Sequence, residues 1–154
     1  MTKAENIKNY YIKKTGAIYS LGVLVFRNSK DYSILLKNER YFVDFIAAAD
    51  ICSPKLMEEQ NDSGFYFNEQ DFNLTLEKIR TIFRIAILNN YSTLLLGAFG
   101  CGLFRNNPCD IANCFKQVLN ELEFKNVFTN IYFGIIDNQR TNNFSVFKHI
   151  LEEN

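Results

Sequence analysis

"LLLGAFGCGLFRNNPCDIANCF", residues 94 to 115, decides the fold. An apolar run reaches a loop that holds Gly97, Gly100 and Gly102, and an amphipathic stretch follows Asn107 and Pro108. Asn before Pro is a helix start, because the Asn oxygen takes up a free N–H while Pro fits the first helical position and has none to satisfy. Strand, glycine loop and helix in this order aim backbone N–H groups outward beside the positive end of a helix, which is a cradle for a phosphate. Gly97, Gly100 and Gly102 permit close approach of a pyrophosphate, and Phe99 and Phe104 are placed to stack on a ribose or base. The spacing matches neither the P-loop lysine pattern nor Gly-x-Gly-x-x-Gly. A tight turn packed by aromatic rings is therefore the alternative at this point.

Outward from this unit, β-branched and aromatic runs predict strands at Val23 to Phe26, Tyr41 to Ala48, Ser92 to Phe99 and Asn130 to Ile136. The last three are apolar almost throughout, as in strands covered by helices on both faces, so an α/β fold with a parallel or mixed sheet is expected. Phe72, Leu76, Ile79, Phe83, Ala86 and Ile87 form one helical stripe with Asn68 or Asn73 as N-cap, and the segment ends at Asn89 and Asn90. The helix after Asn107 buries Ile111, Cys114, Phe115, Val118, Leu119 and Leu122, with Asp110 in its first turn where negative charge suits the dipole. A third helix places Phe144, Phe147 and Leu151 on one side. From Tyr41 onward the order is strand, helix, strand, helix, strand, helix. Residues 52 to 70, polar and carrying Pro54 and Gly64, read as a long loop, mobile or lid-forming.

With 154 residues, one core is expected. Apolar residues make up 47%, and no apolar run reaches the roughly 20 residues of a membrane span. Seventeen basic and seventeen acidic residues balance. Scattered basic residues leave no footprint for a long nucleic-acid backbone. "MTKAENIKNYYIKK" lacks the apolar run of a secretory signal, and the four cysteines fit a reducing compartment, so an intracellular location is expected. Cys101, Cys109 and Cys114 have no Cys-x-x-Cys spacing and no nearby histidine, since His149 stands far along the chain, so neither a metal site nor a cofactor is expected.

"YSLGVLVFRN" at 19 to 28, "VDFIAAADICSP" at 43 to 54, "LLLGAFGCGLFRNNP" at 94 to 108 and "IYFGIID" at 131 to 137 occur in the order seen in microbial-type poly(ADP-ribose) glycohydrolases, the macrodomain-related enzymes, which this chain resembles from Tyr19 to its C-terminus. "GAFGCGLFRN" is similar to the family's Gly-Ala-Trp-Gly-Cys-Gly-Val-Phe segment, with Phe99 in place of tryptophan. The resemblance implies a truncated macrodomain-like three-layer fold, with a mixed, mostly parallel sheet flanked by helices over residues 19 to 154. Residues 1 to 18 would be an extension or a short helix. It further implies that Gly100, Cys101, Gly102, Leu103 and Phe104 contact the diphosphate and ribose of ADP-ribose, mainly through the backbone, and that ADP-ribose or an ADP-ribosylated protein is the partner.

The family's catalytic signature, a Gly-Gly-Gly loop followed by Gln-Glu-Glu, does not precede Tyr19. Its nearest look-alike is "MEEQ" at 57 to 60, with no glycine triplet before it, so Glu58 and Glu59 read as solvated loop residues and only secondarily as acids. A catalytically deficient binder of ADP-ribose or a related nucleotide diphosphate is thus the leading expectation, the alternatives being an active glycohydrolase with its acid from the 52 to 70 loop or a partner chain, and an assembly protein acting through an exposed sheet edge. The strand that carries the signature in the family lies beside the glycine-loop strand, so a rearranged sheet or an exposed edge is expected, inviting a homodimer or a complementing chain. Cys101 beside a helix N-terminus is a conceivable thiolate, the alternative being a small side chain turned into the core. Asp137 and Asn138, at the carboxyl end of the last strand, either contact the ligand's adenosine or form a turn.

Overall fold

In the computed structural model, residues 13–57, 66–137 and 141–152 are described. They divide into two compact units, up to Ala48 and from Ala49 onward.

The first unit is a hairpin. Strand β1, Ala17–Val25, pairs antiparallel with β2, Tyr41–Ala48, so that Ala17 stands opposite Ala48 and Val25 opposite Tyr41. The register shifts between Ser20 and Val23, where Gly22 takes a positive φ of 65° and donates its N–H to the Asp44 carboxylate. Gly tolerates that conformation, so the bulge costs little there. An Arg27 to Ile34 bridge extends the ribbon. A 3-10 turn, Lys37–Glu39, leads into β2, its first residues held by the Glu39 carboxylate on the Leu36 N–H. Leu21, Phe42 and Phe45 are exposed.

The second unit carries the core. Helix α1, Glu69–Leu88, starts where the Asn68 side chain accepts the Asp71 N–H and stops at Asn89, followed by Asn90 at a φ of 61°. Strand β3, Thr93–Leu96, pairs in parallel with β4, Asn130–Phe133, Thr93 opposite Asn130. Between them runs α2, Pro108–Leu119, and the last element is α3, Asn143–Glu152. Leu76, Ile79, Phe83 and Ala86 of α1 are buried, as are Ile111, Cys114, Phe115 and Val118 of α2. A run of ring contacts joins these elements: Phe83 to Phe115 at 6.3 Å, Phe115 to Phe133 at 5.2 Å, Phe133 to Phe147 at 5.6 Å. Offset and edge-on rings at such spacings add attraction beyond the area they bury. Arg80 and Arg84 of α1 reach Glu121 and Glu123 in the turn after α2.

The α/β character and the element order from Tyr41 onward follow the sequence expectation. The sheet differs: among the described residues there is one antiparallel and one parallel pair, not a mostly parallel sheet. β1 begins six residues before the expected Val23, because the bulge at Leu21 and Gly22 breaks the alternation that signals a strand. Leu122 is a correction, 96% exposed where burial was expected. The helix ends at Leu119, capped by Asn120, so Leu122 is out of phase in the following turn and Phe124 fills the core instead. No helix among the described residues is long and apolar enough to cross a membrane.

Candidate functional site

The apolar run ends as a strand at Leu96, where its carbonyl accepts the Gly134 N–H, and the next residues leave the sheet. Two successive turns shape the loop, closed by the Cys101 N–H on the Ala98 carbonyl at 3.0 Å and the Arg105 N–H on the Gly102 carbonyl at 3.0 Å. Gly100 lies inside the first turn with φ at 71°, and Arg105, which closes the second, takes φ at 58°. A Cβ on Gly100 would lie 2.3 Å from Asn106 Nδ2 and 2.5 Å from Asp50 Oδ2. Glycine is required there twice over, by the left-handed backbone and by the packing beneath it.

Asp50 and Asn106 form that floor. Asn106 Nδ2 donates to the Ile51 carbonyl at 2.8 Å and to the Gly100 carbonyl at 3.0 Å, and its own N–H donates to the Gly100 carbonyl at 3.1 Å. One side chain thus ties the glycine loop to the segment after β2. The Ser53 N–H, donating to the Phe104 carbonyl at 2.8 Å, adds a second tie. Asp50 is 6% exposed and Asn106 3%. The Ile51 N–H and the Thr75 hydroxyl serve the Asp50 carboxyl, the latter on Oδ1 at 3.4 Å, while Asp50 Oδ2 and Asn106 Oδ1 have no partner among the described residues. Burial pushes the Asp50 carboxyl up to about 6, against the Ile51 N–H, the Lys78 charge and the Thr75 hydroxyl.

Above this floor, the N–H groups of Gly100, Gly102 and Leu103 have no acceptor among the described residues. Gly102 is exposed, and Leu103 is 95% exposed. The helix N-terminus is different. Asn107 Oδ1 accepts the N–H of Cys109 at 2.8 Å and that of Asp110 at 3.4 Å, and Pro108 has none, so the first turn of α2 is satisfied internally. The anion-binding capacity of this segment therefore lies in the loop amides, with the helix adding only its dipole.

Of the residues singled out in the sequence, Gly97, Phe99, Gly100, Cys101, Gly102, Leu103 and Phe104 fall in this one loop, Gly97 and the two phenylalanines at its ends; Phe99 and Phe104 are half-buried. Cys101 is buried, its thiol pushed up to about 12 by burial and by the Asp50 charge, so it is a core side chain and not a thiolate. Asp137 Oδ2 accepts the Phe144 N–H at 2.9 Å and so caps α3. Asn138, Glu58 and Glu59 lie outside the described residues. No cluster of metal-ligating side chains occurs among the described residues.

Sequence reasoning missed Asp50, Thr75 and Lys78. It also read Asp110 only as a dipole complement. That carboxylate is fully buried and accepts the N–H groups of Tyr66 at 3.1 Å and Phe67 at 2.9 Å, fastening the entry to α1 onto α2. Asp50 stands two residues beyond the end of β2, and the sequence around it carries no local sign of its burial.

The glycine loop between a parallel strand and a helix belongs to a mixed α/β fold with small sheets flanked by helices, similar to the macrodomain-like fold. In overall fold the chain is similar, over nearly its whole length, to solved bacterial poly(ADP-ribose) glycohydrolases. The Deinococcus radiodurans enzyme in complex with ADP-ribose superposes with a TM-score of 0.72 at 26% identity, covering 97% of this chain and 58% of that one. Its apo form gives 0.71 at 26% identity. The Thermomonospora curvata enzyme gives 0.70 at 23% identity, covering 96% of this chain and 51% of that one. The chain thus spans little more than half the length of these enzymes. No family model and no curated protein sequence matches it.

Proposed function

We propose that the loop from Gly97 to Phe104 binds the diphosphate of ADP-ribose, and that the 154-residue chain by itself binds this ligand without cleaving it. The observation that carries the reading is the set of amides at Gly100, Gly102 and Leu103 with no acceptor among the described residues, on a loop held by Asn106 and packed against Asp50. Preorganised N–H donors bind an anion without the cost of ordering the loop at the moment of binding. Phe99 and Phe104 at the loop's ends offer apolar surface to ribose or base, and the similarity to an enzyme solved with ADP-ribose supports the choice of ligand. Asp137 and Asn138 remain candidates for the adenosine end. Binding without cleavage rests on the 154 residues containing no Gly-Gly-Gly and Gln-Glu-Glu pair.

Calorimetry with ADP-ribose tests the ligand: saturable heat is expected, and a folded protein that gives none at millimolar ligand ends the reading. Incubation with poly(ADP-ribose) tests the chemistry. Unchanged polymer is expected; shortening that is lost in Glu58→Gln or Glu59→Gln would instead make the chain a hydrolase with its acid in the 52 to 70 loop.

The exposed Phe42 and Phe45 of the hairpin favour a second component, association with another polypeptide that covers β1 and β2, either a second copy or a complementing chain. Light scattering showing a strict monomer, with no partner recovered, would remove it.

A further inference from the structure

The floor of the glycine loop holds two buried acceptor atoms, Asp50 Oδ2 and Asn106 Oδ1, with no donor among the described residues. Both hydrogens of Asn106 Nδ2 are committed to the carbonyls of Ile51 and Gly100, which fixes the amide's orientation and leaves Oδ1 as a pure acceptor. Asp50 Oδ2 is a second buried acceptor without a donor among the described residues. Buried polar atoms are nearly always paired, so two orphans in residues that both pack against Gly100 require an account. Protonation of Asp50 supplies one, since it removes a buried charge and turns an orphan acceptor into a donor.

The groups acting on Asp50 come from three elements. From α1 come the Thr75 hydroxyl, the Lys78 charge and, opposing them, the Asp71 charge. The loop contributes Cys101 and α2 contributes Cys114, both thiols held protonated by burial. Lys78, the one cation in this set, donates its Nζ to the Ala49 carbonyl at 2.7 Å. Asp50 therefore faces the inner side of Gly100 with partial compensation only. An anion held by the loop's amides lies across one thickness of backbone from that carboxylate. Two negative charges so placed repel more strongly than in water, because the intervening medium is protein.

We propose that Asp50 is a proton-linked positioning residue of the glycine loop: an anion bound by the loop amides and a proton on Asp50 stabilise each other. This deepens the ADP-ribose reading and rests on it for the identity of the anion. Linkage is reciprocal, so the ligand draws a proton onto Asp50 and a falling pH tightens the ligand. With the carboxyl already raised to about 6 by burial, the coupling falls within reach of neutral pH. The diphosphate of ADP-ribose is a diester and does not titrate there, so the proton is taken up by the protein.

The test combines calorimetry and amide NMR on the full chain. ADP-ribose affinity of the unmodified protein is expected to rise about tenfold as pH falls from about 8 to about 5.5, with net proton uptake read from buffers of different ionisation heat. Asp50→Asn is expected to bind with an affinity that no longer follows pH, whereas His149→Gln keeps the dependence, which separates the carboxyl from the chain's one histidine. Without ligand, the Gly100 and Asn106 amide signals should follow the Asp50 titration in the unmodified protein, an arm that needs no variant to fold. Binding that neither tightens at low pH nor takes up a proton overturns the linkage and leaves ADP-ribose as the ligand. If neither protein binds, the ligand assignment falls, and a Gly100 amide that ignores the Asp50 titration overturns the positioning role as well.

Discussion

The hairpin of residues 17 to 48 is richer in aromatic and aliphatic side chains than the unit from Ala49 onward, yet it is the second unit that buries them. Phe67, Phe83, Phe115, Phe124 and Phe147 of the second unit are buried and several touch ring to ring, while Phe26, Phe42 and Phe45 of the first are exposed. Apolar side chains become a core only where at least two elements close over them, and a two-stranded ribbon has no second layer of its own. The second unit, with three helices around a parallel pair, has that layer, and its core fixes the glycine loop from below. The hairpin holds its shape through ladder bonds, the Gly22 bulge and the Asp44 carboxylate, and keeps its apolar surface available.

The contrast is most easily broken by substitution. Phe83→Ala, at the centre of the ring contacts, is expected to cost about 3–5 kcal/mol in denaturant unfolding. A cost like that of an exposed residue would mean the second unit has no well-packed core. Asp110→Ala strands the N–H groups of Tyr66 and Phe67 and is expected to cost about 2–3 kcal/mol. Its effect should exceed that of Asp137→Ala, whose partner is an exposed helix end.

Asp50→Asn sharpens the comparison in the other direction. The folded carboxyl binds its proton more tightly than the unfolded one, with a raised value of about 6 against 3.8, so the unmodified protein loses stability as pH rises through that window and stays penalised above it. At about pH 7.5 the Asn variant is therefore expected to be more stable, by about 3 kcal/mol, and at about pH 4 most of the gain should be gone. Thermal unfolding across pH reads this directly, and a gain that persists undiminished at pH 4 would place the penalty elsewhere than in the charge. Phe42→Ser in the hairpin should change stability by no more than about 0.5 kcal/mol in the isolated chain. A larger loss would show that a second copy already covers the ribbon in solution.

Much of this was legible in residues 68 to 120. Asn107 is the N-cap that its position implies and Pro108 begins its helix as expected, while of the two caps offered for α1, Asn68 and Asn73, the structure uses Asn68. The bounds of β2 follow from an apolar run between Arg40 and Asp50. What the sequence withheld depends on long-range approach. Asp50 meets Gly100 fifty positions away, and Asp110 meets Phe67 across forty-three. A lone acid carries no local sign that it will be buried beneath a loop. The start of β1 was hidden for a local reason, since a bulge shifts the alternation by which strands are recognised. Within the candidate site, the glycines could be read and the floor that requires one of them, Gly100, could not.

The central claim is that the loop amides hold the diphosphate of ADP-ribose. The most direct measurement is an ADP-ribose titration of the 15N-labelled chain beside its Gly100→Val variant. The account predicts saturable shifts centred on the amides of Gly100, Gly102 and Leu103, and their loss in the variant, whose Cβ would collide with Asp50 and Asn106. Saturable shifts that leave these three amides unmoved, or persist undiminished in Gly100→Val, would contradict it.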